Sequence, residues 1–520
     1  MGSPQPNVGV GGWRPFGARF WLCLFAGSAA TGVAAGGLMR LLHSVQELAW
    51  GKGTGDFLDA VQRDGPVRRV LVLVAAGALV AATRWLLQLR GSGAGGELSA
   101  NIWFRAGGMP VLRTLLNAIS SIVIVGLGAS LGREAAPKDA GALFASLLSR
   151  WSRLPAPQRR LLAACGAGAG MGAVYNVPFG GALFALEVLL GSLSFNLVGP
   201  AFAASFTATL CAWTMLPDAP TYHTPPYAAS PQLLVWALIA GPVLGAAAAL
   251  YVRLICWADS MKPTGWRMFA APLVAFAALG VVAIEFPQLL GNGKDVVQLA
   301  FTGSLPILLA LALIVLKPLA TSACLGSGGP GGLFTPTMTV GALIGAAGGQ
   351  AWAWLWPAGP QEPGAYALIG AGAFLAASTQ GPVSSVVLLL ELTRRLDPTM
   401  VPLMLTVAGA MFVARRLEPR SIYSGRIHAA REPEDAGRTL SAAARISEVL
   451  REMIARPADA LAIVGQNGER LGSLDRADAL AAMEGLYPRE IATARDLLEV
   501  NPASADLARR PQGSAAPSGR

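Results

Sequence analysis

Charge is what this chain has least of. Asp, Glu, Lys and Arg make up 13% of its 520 residues, against about a quarter in an ordinary soluble protein, which argues against a conventional water-soluble enzyme. Histidine is almost missing: His43, His223 and His428 are too scattered to hold a metal, and no HExxH run supplies a zinc hydrolase. The cysteines are few and odd in number. Cys23, Cys165, Cys211, Cys256 and Cys324 lie mostly in apolar stretches and read as small core residues, not as a disulfide frame. No basic cluster sits on a soluble segment, so nucleic acid is not a suggested partner.

What is present is hydrophobic length. The windows 161–186, 188–217 and 318–361 contain no charged side chain, and each exceeds the roughly 20 residues that a helix needs to cross a hydrocarbon core. The chain reads as a multi-pass membrane protein. The span 20–39, flanked by Arg14 and Arg19, is too long for a signal-peptide core and reads as a first membrane helix with a cytoplasmic N-terminus. Sixty-two glycines suit close helix packing and interrupted helices, which lipid tolerates only around a protein-lined or polar pathway. The formal net charge is +10, a balance that favours an anionic over a cationic partner, although positive cytoplasmic loops give the same sign.

The two halves repeat. Gly91-Ser92-Gly93 precedes Gly132-Arg133-Glu134 by the spacing at which Gly291-Asn292-Gly293 precedes Gly332-Leu333-Phe334-Thr335-Pro336. Pro178 stands as far before Glu187 as Pro382 before Glu391. An offset of about 200 residues therefore predicts an internal duplication, an architecture in which transporters commonly bind their cargo at the bilayer midplane. The shared Pro–Glu spacing assigns Glu187 a structural task. After Tyr423 the charges become dense, with 16 of the 40 Lys/Arg and 15 of the 30 Asp/Glu beyond position 412. There the run 461–464, the turn 466–470 and the helical stretch 476–483 suggest a small α/β appendage resembling part of a cystathionine-beta-synthase-type (CBS) module. It is expected to be dispensable for the work of the membrane part.

Glycine-flanked segments lie at 91–96, 128–137, 328–336 and before Tyr423, where helices should begin within the membrane. A helix start presents free N–H groups and partial positive charge, which hold an anion without a fixed cation. Lys138, Asp139 and Lys317 are charges in otherwise apolar surroundings. Each is a functional candidate against a plainer reading of neutralisation or snorkelling.

These motifs resemble the CLC chloride channels and proton/chloride antiporters over most of residues 15–430. Gly91-Ser92-Gly93 is similar to the start of the family's GSGIP segment, Gly132-Arg133-Glu134 to that of GREGP, and 332–336 to GxFxP; Ser421-Ile-Tyr423-Ser424 is similar to the Tyr-bearing end. Ala94-Gly95 and Ala135-Ala136, with Pro137 one place late, depart from the pattern. The resemblance implies an all-α polytopic membrane protein of two inverted-topology repeats with partial and tilted helices, plus a small α/β cytoplasmic tail. Its expected boundaries are an N-terminal segment 1–17 and a transmembrane domain 18–430. Within the latter, the repeats span about 70–217 and 230–413, followed by a Tyr-bearing helix at about 420–430. The tail is 431–500, with 501–520 disordered.

The resemblance also implies the site. Ser92, Tyr423 and the backbone N–H groups of Leu333 and Phe334 would bind chloride, and Glu134 would gate it. Gly91, Gly93, Gly132, Arg133, Gly332 and Pro336 would line the helix starts. Val188 stands where antiporter relatives carry an inner proton-transfer glutamate, which favours a passive channel slightly over proton-coupled exchange. A fluoride exporter is disfavoured by the Gly-Arg-Glu and serine pattern. A cation-coupled symporter would call for acidic residues in the broken helices, and a non-transporting scaffold has no use for duplicated glycine breaks. The expected partners are chloride, protons in the exchange reading, lipid and a second copy in a homodimer, with no cofactor, in the inner (plasma) membrane with both termini cytoplasmic.

Overall fold

The computed structural model describes residues 16–51, 56–90, 97–357, 362–395, 399–426, 439–455, 461–466, 468–474, 479–480, 482–483, 486 and 488–500. Gly91, Ser92 and Gly93, most of the segment 1–17, and 501–520 lie outside these residues.

The chain folds as two successive sets of helices in the same order. The first set is α1 (Ala18–Trp50), a short α2 (Phe57–Arg63), α3 (Pro66–Leu89), α4 (Leu98–Phe104), α5 (Val111–Gly126), α6 (Ala135–Trp151), α7 (Ala156–Tyr175), α8 (Pro178–Leu183) and α9 (Phe195–Ala212). The second is α10 (Pro231–Ser260), α11 (Arg267–Glu285), α12 (Lys294–Phe301), α13 (Ile307–Gly326), α14 (Phe334–Leu355), α15 (Pro363–Thr379), α16 (Pro382–Thr393) and α17 (Met400–Leu417). Apart from α2 the sets correspond helix for helix, which extends the first repeat to α1, ahead of the position near 70 where the sequence comparison began. Seven of the helices, α1, α3, α9, α10, α11, α13 and α17, are long and apolar enough to cross a membrane. The others are shorter, as expected of partial spans.

Local chemistry explains the repeated breaks. Pro178 and Pro382 each open a helix at the one position where a missing N–H costs nothing. The helices before them end on left-handed residues, Asn176 (φ 57°) and Gln380 (φ 58°). Close packing is also duplicated. A Cβ on Gly141 of α6 would fall on the Gly166 carbonyl oxygen of α7, and one on Gly341 of α14 would meet the Gly370 carbonyl oxygen of α15 at 2.6 Å. Backbones approach this closely only where the side chain is a hydrogen.

The shared spacing of Glu187 and Glu391 has a geometric counterpart. Glu187, in a π-helical turn that continues α8, accepts hydrogen bonds from Val383 N (3.2 Å) and Ser384 N (2.6 Å) at the start of α16. Glu391 accepts from Phe179 N (3.0 Å) and Gly180 N (2.6 Å) at the start of α8. Each repeat's carboxylate thus caps the other repeat's helix, satisfying donors that a Pro-started helix leaves free.

After α17 the chain turns through Tyr423 into a single 3₁₀ turn, Ser424–Arg426. Among the described residues this replaces the expected Tyr-bearing helix at about 420–430; 427–438 lie outside them. The tail holds β1 (Thr439–Ser441), α18 (Ile446–Ala455), β2 (Leu461–Val464), β3 (Arg470–Leu474) and α19 (Ala494–Val500). β2 is central, parallel to β1 and antiparallel to β3, and a small separate core of Ile446, Val449, Ile463, Leu474 and Leu497 holds the unit together.

The tail is not a loosely tethered appendage. Arg160, at the start of α7 and with no solvent exposure, meets Asp496 of α19 at 2.7 Å. Its guanidinium also donates to the carbonyls of Ile102 (3.1 Å) and Ile491 (2.8 Å). Arg495 donates to Phe104 O (3.1 Å) and Arg445 to Gly191 O (3.0 Å). The tail therefore grips α4 and the loop that links α8 to α9.

Candidate functional site

Two symmetric loops build the site. α5 and α13 end at Gly126 and Gly326, and each is followed by a left-handed glycine, Gly128 (φ 103°) and Gly328 (φ 99°). The two loops then meet back to back: Gly132 N donates to Gly332 O (2.7 Å) and Gly332 N to Gly132 O (2.8 Å). From this two-residue bridge α6 and α14 begin, so two electropositive helix starts lie next to each other.

Glu134 stands at the start of α6 with no solvent exposure, yet its side chain does not cap its own helix. It crosses to the other repeat. Oε1 accepts from Phe334 N (2.7 Å), the first N–H of α14, and Oε2 accepts from the Tyr175 hydroxyl (3.1 Å). Tyr175 in turn shares a hydrogen bond with Thr335 Oγ1 (2.6 Å). An ionised carboxylate only accepts, so Tyr175 donates to Glu134 and Thr335 donates to Tyr175. A Cβ on Gly132 or Gly332 would fall on the Glu134 carboxylate, which explains why both bridge residues are glycine.

Around this centre the other sequence-derived residues take distinct places. Leu333, Phe334 and Pro336 are buried at the α14 start. Arg133 lies over the Tyr175 ring (5.0 Å to its centroid). Tyr423 is 8% exposed, packs edge-on against Phe184 (ring centroids 5.5 Å apart), and its hydroxyl has no hydrogen-bond partner among the described residues. A buried hydroxyl without a partner is uncommon. Lys138, one turn along α6 from Glu134, links this region to Glu134: its ammonium lies 5.0 Å from the Tyr423 ring centroid and 5.2 Å from that of Phe184. Lys317 is elsewhere and structural, donating to Leu289 O (2.9 Å) and Gly291 O (3.0 Å) in the loop before α12. Val188 sits beside Glu187 in the π-helical turn. Ser92, with Gly91 and Gly93, lies outside the described residues.

Tyr175 and Thr335 went unnoticed in the sequence. Tyr175 closes an apolar helix far in sequence from Glu134, and Thr335 looked like a spacer within a glycine motif. The spacing Gly128-Ala-Ser130-Leu-Gly132 formally matches a hydrolase nucleophile turn. However, buried Ser130 has Thr321 Oγ1 at 3.5 Å, a neighbour that cannot act as a base. Among the described residues no group of three His, Cys, Asp or Glu is placed to hold a metal.

A sequence profile described as "Voltage gated chloride channel" matches residues 77–415. The chain belongs to the voltage-gated chloride channel, or CLC, family. A putative chloride channel protein, ClcB-like, from Ralstonia nicotianae is 31% identical over 393 residues, covering 72% of this chain and 89% of that protein. An H⁺/Cl⁻ exchange transporter, ClcA, from Salmonella choleraesuis is 28% identical over 364 residues, 67% of this chain and 74% of that protein. A slow cyanobacterial Cl⁻/H⁺ antiporter shares the fold at a TM-score of 0.68 and 20% identity, covering 79% of this chain and 97% of its own. A CLC-type fluoride/proton antiporter does so at 0.61 and 21%, covering 79% and 99%. This CLC chain is a bacterial-type, multi-pass membrane protein with a small α/β tail. The paired helix starts and the carboxylate between them are the centre of its CLC fold.

Proposed function

We propose that the chain carries chloride across the bacterial plasma membrane as a homodimer, each subunit with its own pathway and with both termini cytoplasmic. Glu134 is the gate. One observation carries the reading: a buried carboxylate sits on the first free N–H of α14, with Oε1 2.7 Å from Phe334 N, in the seat a halide would take. While charged it blocks the seat by mimicry. Once protonated it has no charge for the helix start to hold, so the side chain leaves and chloride takes the N–H groups of Leu333 and Phe334 and the hydroxyls of Ser92 and Tyr423. Conduction is fast only where such sites are several and weak, and uncharged amide and hydroxyl donors meet that need. Neither a cofactor nor a metal has a part in the cycle.

The proton that frees Glu134 is supplied by water, and its repeated uptake and release at one carboxylate suits exchange of protons for chloride. The named exchange transporters among the relatives support this form. Val188, an apolar side chain where an inner proton donor is expected, supports the second form, a passive acid-opened channel; that preference rests on Val188 alone.

Proteoliposomes under a chloride gradient test both. Glu134→Gln, a neutral mimic of the protonated gate, is expected to keep chloride flux while losing its pH dependence and any proton movement. A variant that keeps the full pH profile overturns the gate. In the native protein, uphill proton movement driven by chloride selects exchange, and its absence alongside chloride flux selects the channel.

A further inference from the structure

Lys138 adds a second basic side chain, after Arg133, beside helix starts that offer only dipoles. It is 5% exposed and follows Glu134 by one helical turn, so the two side chains share a face of α6. Its ammonium rests against the faces of Phe184 and Tyr423, at 5.2 and 5.0 Å from their centroids, within the range of cation–π attraction. The charges that act on it are Glu134, one turn before it, and Asp139, its chain neighbour. Among the described residues neither carboxylate forms an ion pair or hydrogen bond with the ammonium, although the Lys138 backbone N–H donates to Glu134 O. Adjacent helical residues point in different directions, so Asp139 is poorly placed to cover the ammonium.

A buried cation that no carboxylate contacts directly is costly, and structures normally pair it. The same small region contains an unsatisfied group, the Tyr423 hydroxyl, a buried donor with no partner among the described residues. A buried lysine whose ammonium rests on ring faces and a buried hydroxyl donor without an acceptor share one remedy: a small anion between them.

We propose that Lys138 is an anion-binding residue of this chain, its ammonium and the Tyr423 hydroxyl together holding one inorganic monovalent anion, a halide, on the inner side of Glu134. This rests on the proposed function and adds a fixed charge to it. The anion neutralises the ammonium and completes the hydroxyl, and the rings of Phe184 and Tyr423 hold the lysine chain in place when the anion leaves. The consequence is a trade-off. A charge-assisted contact strengthens halide binding and slows halide release, so the chain binds tightly and turns over slowly.

Calorimetric titration of the purified full-length protein with chloride tests this, with Lys138→Met keeping the length and apolar packing of the side chain. Its chloride affinity is expected to fall about tenfold or more, the range for loss of a charge-assisted contact in a shielded site. Lys138→Arg is expected to retain most of the affinity, and chloride flux through Lys138→Met at saturating chloride is expected to rise. A folded Lys138→Met that binds chloride like the native protein overturns the assignment and leaves the proposed function standing. Native protein that binds no chloride overturns both. Should Lys138→Met fail to fold, bromide soaked into crystals of the native protein decides. An anomalous peak in contact with Lys138 Nζ and Tyr423 Oη supports the subsite, and bromide bound only out of reach of Nζ overturns it.

Discussion

The Glu134 carboxylate has three kinds of neighbour, and each does separate physical work. The Phe334 amide gives it the end of a helix, the Tyr175 hydroxyl a directed hydrogen bond, and Gly132 and Gly332 the space to lie there. Tyr175 makes a contact that a departing carboxylate must break. A hydrogen bond to a charged group contributes about 1.5–3 kcal/mol, so Tyr175→Phe should loosen the closed state. Chloride flux at neutral pH should rise about tenfold, in proteoliposomes assayed beside the native protein. Unchanged flux would mean that Tyr175 holds only the fold. The sequence singled out Glu134, Phe334 and Tyr423 because glycine motifs surround or precede them. It could not single out Tyr175, since α7 is buried on nearly every side and its apolar stretch 161–175 gives no face by which to choose a residue. The same uniformity hid Thr335.

At the scale of elements, the starts of α8 and α16 depend on carboxylates from the opposite repeat. Glu391→Gln retains the shape but replaces a charged acceptor pair by one oxygen and an amide that cannot accept. Phe179 N and Gly180 N then compete for a single weaker partner. We expect a loss of about 0.5–1.5 kcal/mol, the net contribution of a hydrogen bond at a part-exposed helix start, read as a lower melting temperature of the detergent-solubilised protein. Chloride transport by the folded fraction should persist. A melting temperature equal to the native one would mean that water replaces the carboxylate. This element was legible in outline: the equal Pro–Glu spacing exposed a shared task for Glu187 and Glu391. That each serves the other's helix was not, because spacing along one strand of sequence says nothing about which helix start lies within reach. The boundaries of the first repeat were blurred for a related reason. α1 and α10 share apolar length without a shared motif, and only their equivalent places in the helix order pair them.

For the whole molecule, the sequence reveals the tail but not how it is attached. Arg160 and Asp496 lie 336 residues apart, one at the start of a membrane helix and one in a charge-rich segment, where any acidic residue looks solvated. Folding makes them a fully buried pair. Removing one partner of such a pair costs about 3–5 kcal/mol, because the other charge is stranded. Asp496→Ala should therefore lower thermal stability markedly, whereas Arg160→Met combined with Asp496→Leu should recover much of the loss. Equal stability of the single variant and the native protein would show that the tail contributes nothing to the membrane part. Since Arg160 and Arg495 also bind carbonyls of α4, the tail braces the helix that directly follows the segment bearing Ser92. The appendage is thus joined to α7 and α4 by a buried ion pair and hydrogen bonds.

The exchanged carboxylates of Glu187 and Glu391 bear on the origin of the molecule. A polypeptide half this size, associating as two identical copies around a rotation axis, would have closed the same mutual clasp between separate chains. In such a pair each copy would need the other's carboxylate at its helix start, so the clasp ties the two halves together while positions away from it, such as Glu134 and its counterpart Phe334, are free to differ.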